Sequence, residues 1–189
     1  MSGNTIRYLS LGNCALRPTV NLGLRCLTEL DLYQVCITGD ELGRLLCNSF
    51  ALEKLILTYC WDTIRLKIPC QLQRLSCLDV FQCSGLQVIE NKAPNISSFQ
   101  LTGDEVQLSL GQALQVKDLR LEHRCAIHYA IDKLPSSAPN LETLSLHSSH
   151  EVCSCISGDK YAYNSSHMLE HINVASLIPY AGSQCTDGT

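Results

Sequence analysis

The sequence repeats one short phrase of apolar residues seven times, and this repetition limits the folds that the chain can adopt. The clearest copy runs from Leu52 to Trp61, LEKLILTYCW, where Leu52, Leu55, Leu57 and Cys60 follow the spacing L-x-x-L-x-L-x-x-C. A lone strand with one apolar row leaves both of its edges unpaired. The phrase therefore requires copies of itself stacked alongside it.

These copies occur at a regular interval along the chain. The first apolar residues of the seven phrases are residues 6, 27, 52, 75, 96, 116 and 141, which lie 20 to 25 residues apart. That interval and the phrase itself are typical of leucine-rich repeats, whose units have about 20 to 29 residues. The sequence thus predicts an α/β fold, a leucine-rich-repeat solenoid with a parallel concave sheet and with short helices, 3-10 turns or strands on its convex side.

The segments between the phrases are expected to form the convex side of the solenoid. Thr38 and Glu41 have the spacing of a capping box, and the leucines that follow form a helical stripe, which predicts a helix reaching Asn48. We call the segment that leads from one strand of the sheet to the next a return. The other returns are predicted as a strand and turn between residues 60 and 75, a short extended or 3-10 segment at 86–89, a strand at 106–110 and a short helix at 127–134.

The point at which the repeat spacing stops divides the chain into two predicted segments. Residues 1–152 form a leucine-rich-repeat domain of about seven irregular repeats, and residues 153–189 form a tail outside the repeats. The tail is expected to be partly helical over 166–177 and disordered at its end. Because Ile6 already starts a phrase, we expect either another domain or partner over the first strand, or a chain that is a fragment of a longer protein.

Charge and hydropathy exclude several function classes. The formal net charge of −4 provides no basic field for nucleic acid or anionic lipid. The longest apolar runs are short and interrupted by charge, which predicts no membrane span, and the first residues lack a secretory signal. A cytoplasmic or nuclear protein without a cofactor is therefore expected.

Twelve cysteines are unusual in a chain of 189 residues. Without a secretory signal, a reducing compartment favours free thiols over disulfides. Cys14, Cys60 and Cys83 share one repeat position, where a small and weakly polar side chain packs beneath the turn that leaves the strand. Buried structural thiols are therefore predicted there.

Two groups of residues have spacings that resemble metal sites. His167 and His171 match the zinc protease pattern H-x-x-E-H, although an ordinary amphipathic helix explains the same spacing. The second group has two imidazoles and two thiols close together, but its Cys-x-Cys is tighter than zinc-finger spacing. Its members are His147, His150, Cys153 and Cys155. The sequence holds no phosphate loop, nucleophile elbow or redox Cys-x-x-Cys, so a non-enzymatic protein is predicted.

The remaining candidate site is the concave face of the sheet. Because the leucines of each phrase point inward, the alternate residues of each strand point outward. These outward positions carry five acidic and two basic residues, which makes the face mildly acidic. The predicted protein-binding residues are Tyr8, Glu29, Asp31, Tyr33, Lys54, Ile56, Asp79, Phe81, Asp118, Arg120 and Glu122.

Three of these residues are predicted to lie side by side. Tyr33, Ile56 and Phe81 come from successive repeats, with neighbouring strands roughly 5 Å apart. An exposed apolar row with a charged rim is typical of protein-binding sites. The alternative is that a solenoid face simply carries some apolar side chains.

Several phrases together resemble the leucine-rich region of plant F-box/LRR proteins, including the FBD-associated type. The resemblance covers about residues 5 to 152. It is carried by Ile6-Arg-Tyr-Leu-Ser-Leu, Ile37-Thr-Gly-Asp-Glu-Leu-Gly, Phe50-Ala-Leu-Glu-Lys-Leu, Leu66-Lys-Ile-Pro-Cys, Leu75-Ser-Cys-Leu-Asp-Val-Phe, Leu86-Gln-Val-Ile-Glu-Asn-Lys-Ala-Pro-Asn and Pro139-Asn-Leu-Glu-Thr-Leu.

The resemblance implies a substrate-recognition region of an SCF ubiquitin ligase, in which an F-box docks on a Skp-type adaptor and the repeats hold the target. This sequence contains no F-box, so a Skp-type adaptor is expected only if an F-box is present elsewhere. The predicted function is a non-catalytic protein-binding module whose target is unknown. The alternatives are a zinc-binding or metalloprotease-like protein that uses His167 and His171, and a non-functional truncated fragment.

Overall fold

Each of the seven phrases forms one strand of a single parallel sheet. The structure, a computed structural model, describes residues 5–17, 24–109, 115–124, 126–127, 129–130, 134 and 138–148. The strands are β1 (Tyr8–Gly12), β2 (Glu29–Tyr33), β3 (Lys54–Thr58), β5 (Cys77–Phe81), β7 (Ser98–Thr102), β9 (Asp118–Glu122) and β10 (Thr143–His147). They pair in chain order, which confirms the predicted solenoid with its parallel sheet.

The leucines of the phrases form one continuous core behind this sheet. Leu30 and Leu32 of β2 and Leu55 and Leu57 of β3 are completely buried, and they lie in register with each other. Phe99 takes the place of a leucine in β7 and is buried as well. Because burying one leucine side chain contributes about 1.5–3 kcal/mol, the repeated inward pair is the main stabilising element of each repeat.

A helix lies on the convex side, at the predicted capping box. Helix α1 (Gly39–Leu46) has Thr38 as its N-cap, and the Thr38 and Glu41 side chains each accept a hydrogen bond from the other's backbone N–H. The predicted end at Asn48 was wrong by two residues. The Asn48 N–H bonds to the Leu45 carbonyl oxygen, three residues back, so the chain tightens into a turn after Leu46.

The next three returns are extended and form a second, smaller sheet. Its parallel strands are β4 (Arg65–Ile68), β6 (Val88–Asn91) and β8 (Gln107–Ser109). The predicted strands after Cys60 and near residue 108 are thereby confirmed, and the return at 86–89 takes the extended form rather than the 3-10 form. Val106 is buried just before β8 begins. Leu66, Ile68 and Ile89 close the core from this side.

The described residues between β9 and β10 include helical ones. Residues 126–127, 129–130 and 134 have helical backbone, in agreement with the short helix predicted at 127–134. The predicted tail, with its helix at 166–177, lies outside the described residues. Among the helices that the structure describes, none is long and apolar enough to cross a membrane.

A tight turn follows the strand in successive repeats. Asn13, Gln34, Tyr59 and Gln82 each have a positive φ between 51° and 55°, a backbone conformation that bulky residues seldom adopt. The backbone N–H of each donates to the last carbonyl oxygen of the next strand, as in the Tyr59 N–H bond to Phe81 at 3.0 Å. The turn therefore both ends the strand and ties it to the following repeat.

Two of the three predicted structural cysteines are buried after this turn. The thiol of Cys60 donates to the Leu32 carbonyl oxygen at 3.5 Å, and that of Cys83 donates to the Leu57 carbonyl oxygen at 3.7 Å. A hydrogen bond with Cys60, and then burial, raise the pKa of Cys83. The prediction for Cys14 was wrong, because its side chain is exposed. Cys14 follows β1, the edge strand, and no described repeat covers the outer side of that strand.

We predict that replacing Gly85 with Ala destabilises the protein. A Cβ atom at Gly85 would lie 1.8 Å from the backbone oxygen of Trp61, so two repeats would have to move apart. The expected loss in the free energy of unfolding is about 1–3 kcal/mol, measured by urea denaturation. Gly43→Ala is the control, since nothing lies within 4 Å of its Cβ position in α1, and it should gain about 0.5–1 kcal/mol. Equal effects at the two sites would contradict the close approach.

We also predict that the capping box makes stability depend on pH in the acid range. Hydrogen bonds from the Thr38 backbone N–H, and then from its hydroxyl group, hold the pKa of Glu41 below its usual value of 4.5. This contribution is complete above pH 4.5 and is lost as the pH falls through the lowered folded-state pKa. Thr38→Ala removes the hydroxyl group but keeps the backbone N–H, so it should lower stability at neutral pH by about 1 kcal/mol and reduce only part of the acid dependence.

The measurement for this second prediction is urea denaturation at a series of pH values between neutral and acid. Thr38→Ser keeps the hydroxyl group and should behave like the wild type. An acid dependence that is identical in Thr38→Ala and the wild type would contradict the assigned role of Glu41.

Candidate protein-binding surface

The outward side chains of the concave sheet form three rows that run across the strands. The strands pair in exact register from β1 to β10, so equivalent positions in neighbouring repeats lie directly beside each other. The first row is Tyr8, Glu29, Lys54, Cys77, Ser98, Asp118 and Thr143. The second row is Ser10, Asp31, Ile56, Asp79, Gln100, Arg120 and Ser145. The third row is Gly12, Tyr33, Thr58, Phe81, Thr102, Glu122 and His147.

All of the predicted binding residues lie in these rows, but the predicted row of Tyr33, Ile56 and Phe81 is wrong. Tyr33 and Phe81 belong to the third row, where Thr58 of β3 stands between them. Ile56 is two residues earlier on the same strand and stands between Asp31 and Asp79. Side chains alternate along a strand, and this alternation decides on which face of the sheet a side chain lies. The register between neighbouring strands decides which side chains lie beside it.

The residue that does connect the two exposed rings is Tyr59. Its ring centroid lies 5.8 Å from that of Tyr33, with an interplanar angle of 87°, and 5.8 Å from that of Phe81, with an angle of 88°. These are edge-to-face contacts, a favourable arrangement of aromatic quadrupoles. We call Tyr33, Tyr59 and Phe81 the aromatic row.

Tyr59 is absent from the residues predicted from the sequence, because it follows the strand and does not alternate with the inward leucines. The positive φ of 55° at Tyr59 turns the chain out of the sheet at that point. The only available signal was an aromatic residue at a turn position that three other repeats fill with Asn or Gln. Tyr33 and Phe81 remain 42% and 38% exposed, so the aromatic row is accessible from the concave side.

Carboxylates lie next to the aromatic row. Asp31 and Asp79 flank the half-buried Ile56 in the second row. Asp79 lies 3.8 Å from the ammonium group of Lys54, whereas Asp31 accepts a hydrogen bond from the Ser10 hydroxyl group at 3.3 Å. The five carboxylates and two cations of the predicted set all lie in the outward rows, so this face is mildly acidic.

The other charged residues of the predicted set lie towards β9. Asp118, Arg120 and Glu122 all project from that strand, two strands away from Phe81 in the sheet. They are exposed, and none of them has an ion pair with another residue in the described part of the chain. The structure thus separates the predicted site into two parts. The first part is aromatic and acidic and runs from Tyr8 on β1 to Phe81 on β5, and the second part is the charged group on β9.

One outward cysteine lies within the first part. The thiol of Cys77 lies 3.6 Å from a carboxylate oxygen of Asp79. Burial, followed by the negative charge of Asp79, raises the pKa of Cys77 to about 11. A thiol is a nucleophile only when it is deprotonated, so Cys77 contributes a weak donor to this surface at neutral pH.

The two predicted metal groups lie almost wholly outside the described residues. His147 ends β10 and is half-buried in the third row beside Glu122. The structure does not describe His150, Cys153, Cys155, His167 or His171. Within the ranges that it does describe, no three His, Cys, Asp or Glu side chains come together as a metal site. Both metal-site hypotheses stay predictions.

Comparison with known proteins agrees with the architecture. The family model that matches is described as At1g61320/AtMIF1, LRR domain, and the match covers residues 1–175. No curated protein and no solved structure matches the chain. The match confirms the predicted resemblance to plant leucine-rich-repeat proteins, without specifying an F-box or FBD-associated type, and it runs past the domain end predicted at residue 152. The chain belongs to the At1g61320/AtMIF1 leucine-rich-repeat domain family.

Proposed function

We propose that the concave sheet binds an extended or helical segment of another protein, and that the aromatic row is the centre of this binding site. The observation that carries the proposal is the pair of edge-to-face contacts through Tyr59, which fixes three rings on a face whose other outward residues are mostly polar. Aromatic side chains dominate the energetics of protein interfaces, mostly near their centres. Polar and charged side chains surround these rings, as in the rim of an interface.

The aromatic row is suited to binding because it is ordered before a partner arrives. An exposed tyrosine or phenylalanine that is free to rotate loses conformational entropy when a ligand fixes it. Tyr59 packs between Tyr33 and Phe81, and its backbone N–H is tied to Phe81 by a hydrogen bond of 3.0 Å. These contacts restrict the rings in the free protein, which lowers the entropic cost of binding.

A non-catalytic role follows from how the solenoid is built. Leucine-rich-repeat solenoids are interaction scaffolds, since stacked repeats present an extended concave surface. Each repeat uses its inward residues for the shared core, so only the outward residues can differ from repeat to repeat. The outward residues found here offer shape, apolar area and charge. Their one thiol, that of Cys77, stays protonated at neutral pH because its pKa is raised to about 11.

The finer proposal is that the bound protein is a target for ubiquitination. It is supported by the resemblance to the substrate-recognition region of F-box/LRR proteins. In such an assembly a Skp-type adaptor binds an F-box present elsewhere, and the concave sheet remains available for the target. The free thiols of Cys60 and Cys83 suit a reducing compartment, and we therefore place this role in the cytoplasm or nucleus.

We predict that Tyr33→Ala and Phe81→Ala each weaken binding about tenfold or more, as expected for central aromatic residues of an interface. The probe is a set of peptides selected from a random peptide library against the full chain and then synthesised with a fluorescent label. Fluorescence anisotropy gives the dissociation constant for the wild type and for each variant. Circular dichroism and urea denaturation check that the variants remain folded.

Phe50→Ala is the matched control for this prediction. Phe50 is 47% exposed, comparable to Tyr33, but it lies between α1 and β3 and outside the concave rows. Its replacement should leave the dissociation constants unchanged. If the selected peptides bind Tyr33→Ala and Phe81→Ala as tightly as the wild type, the aromatic row is not the binding site.

A further inference from the structure

A notch lies beside Tyr33, on the side opposite to Tyr59. The register places Gly12 of β1 directly next to Tyr33 of β2. Gly12 has no side chain, and a Cβ atom at that position would lie 3.9 Å from the Cδ1 atom of the Tyr33 ring. Tyr59 packs against the ring from the β3 side. One side of the Tyr33 ring is thus packed against Tyr59, and the other side faces the bare backbone of Gly12 on the edge strand of the described sheet.

A carboxylate stands at one end of this notch. Asp31 is two residues before Tyr33 on the same face of β2, roughly 6.6 Å away along the strand. Its neighbour on β1 is Ser10, whose hydroxyl group donates to the Asp31 carboxylate at 3.3 Å. We call Gly12, Ser10, Asp31 and Tyr33 the Gly12 notch.

The charges around the Gly12 notch are unbalanced. Glu29 lies two residues before Asp31 on the same face and adds a second negative charge. The nearest cation of the concave rows is Lys54, but its ammonium group pairs with Asp79 at 3.8 Å. Among the described residues, no basic side chain forms an ion pair with Asp31 or Glu29. The notch therefore attracts positive charge and repels anions.

We propose that the Gly12 notch accepts the guanidinium group of an arginine on the bound protein. This inference rests on the proposed binding of a protein segment by the concave sheet, and it specifies the chemistry of the segment. Arginine combines a planar face, which stacks on aromatic rings, with a row of N–H donors that matches a carboxylate. The Tyr33 ring supplies the aromatic surface within cation–π range, and Asp31 supplies the carboxylate.

Other side chains fit this notch less well. An aliphatic residue would fill the gap at Gly12 but would remove water from Asp31 without replacing its hydrogen bonds, which is unfavourable. A carboxylate would be repelled by Asp31 and Glu29. Lysine has the correct charge, but its ammonium group is compact and strongly hydrated. It cannot stack on the Tyr33 ring and at the same time form two parallel hydrogen bonds with the Asp31 carboxylate.

The experiment uses the peptides selected against the full chain. Arginine should be enriched several-fold over its frequency in the starting library. In a selected peptide, replacing the enriched arginine with lysine should weaken binding several-fold, and replacing it with glutamine should weaken it more. Binding should also weaken as the salt concentration rises, because the contact is between opposite charges near the surface.

Two variants of the protein test the two sides of the notch. Asp31→Asn keeps the shape of the side chain but removes its charge, and it should weaken binding of arginine peptides about tenfold or more. Gly12→Leu fills the gap beside Tyr33 and should cause a comparable loss. Since the nearest atoms to the Gly12 Cβ position are at ordinary contact distances of 3.6 Å and 3.9 Å, Gly12→Leu should leave the free energy of unfolding equal or higher.

Asp104→Asn is the control for charge. Asp104 is an exposed carboxylate between β7 and β8, outside the concave rows and outside the predicted binding residues. This variant changes the net charge of the protein as much as Asp31→Asn does. It should bind the arginine peptides as the wild type does, and an equal loss in both variants would overturn the inference.

The outcomes separate this inference from the proposed function. If arginine is not enriched, or if Asp31→Asn binds normally while Phe81→Ala still loses affinity, the Gly12 notch is not an arginine site and the aromatic row remains the binding site. If Phe81→Ala and Tyr33→Ala also bind normally, the proposed function falls as well. Enriched arginine together with selective losses in Asp31→Asn and Gly12→Leu supports both.

Discussion

Parallel pairing of equivalent strands in register is the constraint on which the rest of this structure depends. Every strand of the large sheet has the same inward pair of apolar residues, and pairing in register lines these pairs up into one core. A shift of one residue would move the leucines of a strand to the solvent face. The core thereby selects the register, and the register then determines which outward side chains become neighbours.

Connections between repeats keep this register along the solenoid. The positive-φ turns after β1, β2, β3 and β5 each donate a hydrogen bond to the next strand of the large sheet, and the thiols of Cys60 and Cys83 donate to carbonyl oxygens of the preceding repeat. At Gly85 two backbones approach so closely that a methyl group does not fit. These contacts hold neighbouring repeats at a fixed distance, which allows the side chains of different repeats to form one surface.

The proposed binding site is a product of three adjacent repeats and not of any one of them. Tyr33, Tyr59 and Phe81 belong to separate repeats, and their rings meet only because the strands are stacked. The Gly12 notch adds a fourth repeat on the side of β1. Because the core takes up the inward positions, changes at the outward positions can alter binding chemistry with little effect on folding, as expected for a recognition scaffold.

Local patterns in the sequence were sufficient to predict the repeats, the inward leucines, the capping box of α1 and the burial of Cys60 and Cys83. These features depend on spacing within one phrase or one helical turn, so a single segment of the chain specifies them. The neighbours of Ile56, the contribution of Tyr59 and the exposure of Cys14 were decided only by the tertiary structure. They depend on how repeats of unequal length stack, and no spacing within one repeat records which residue stands opposite in the next.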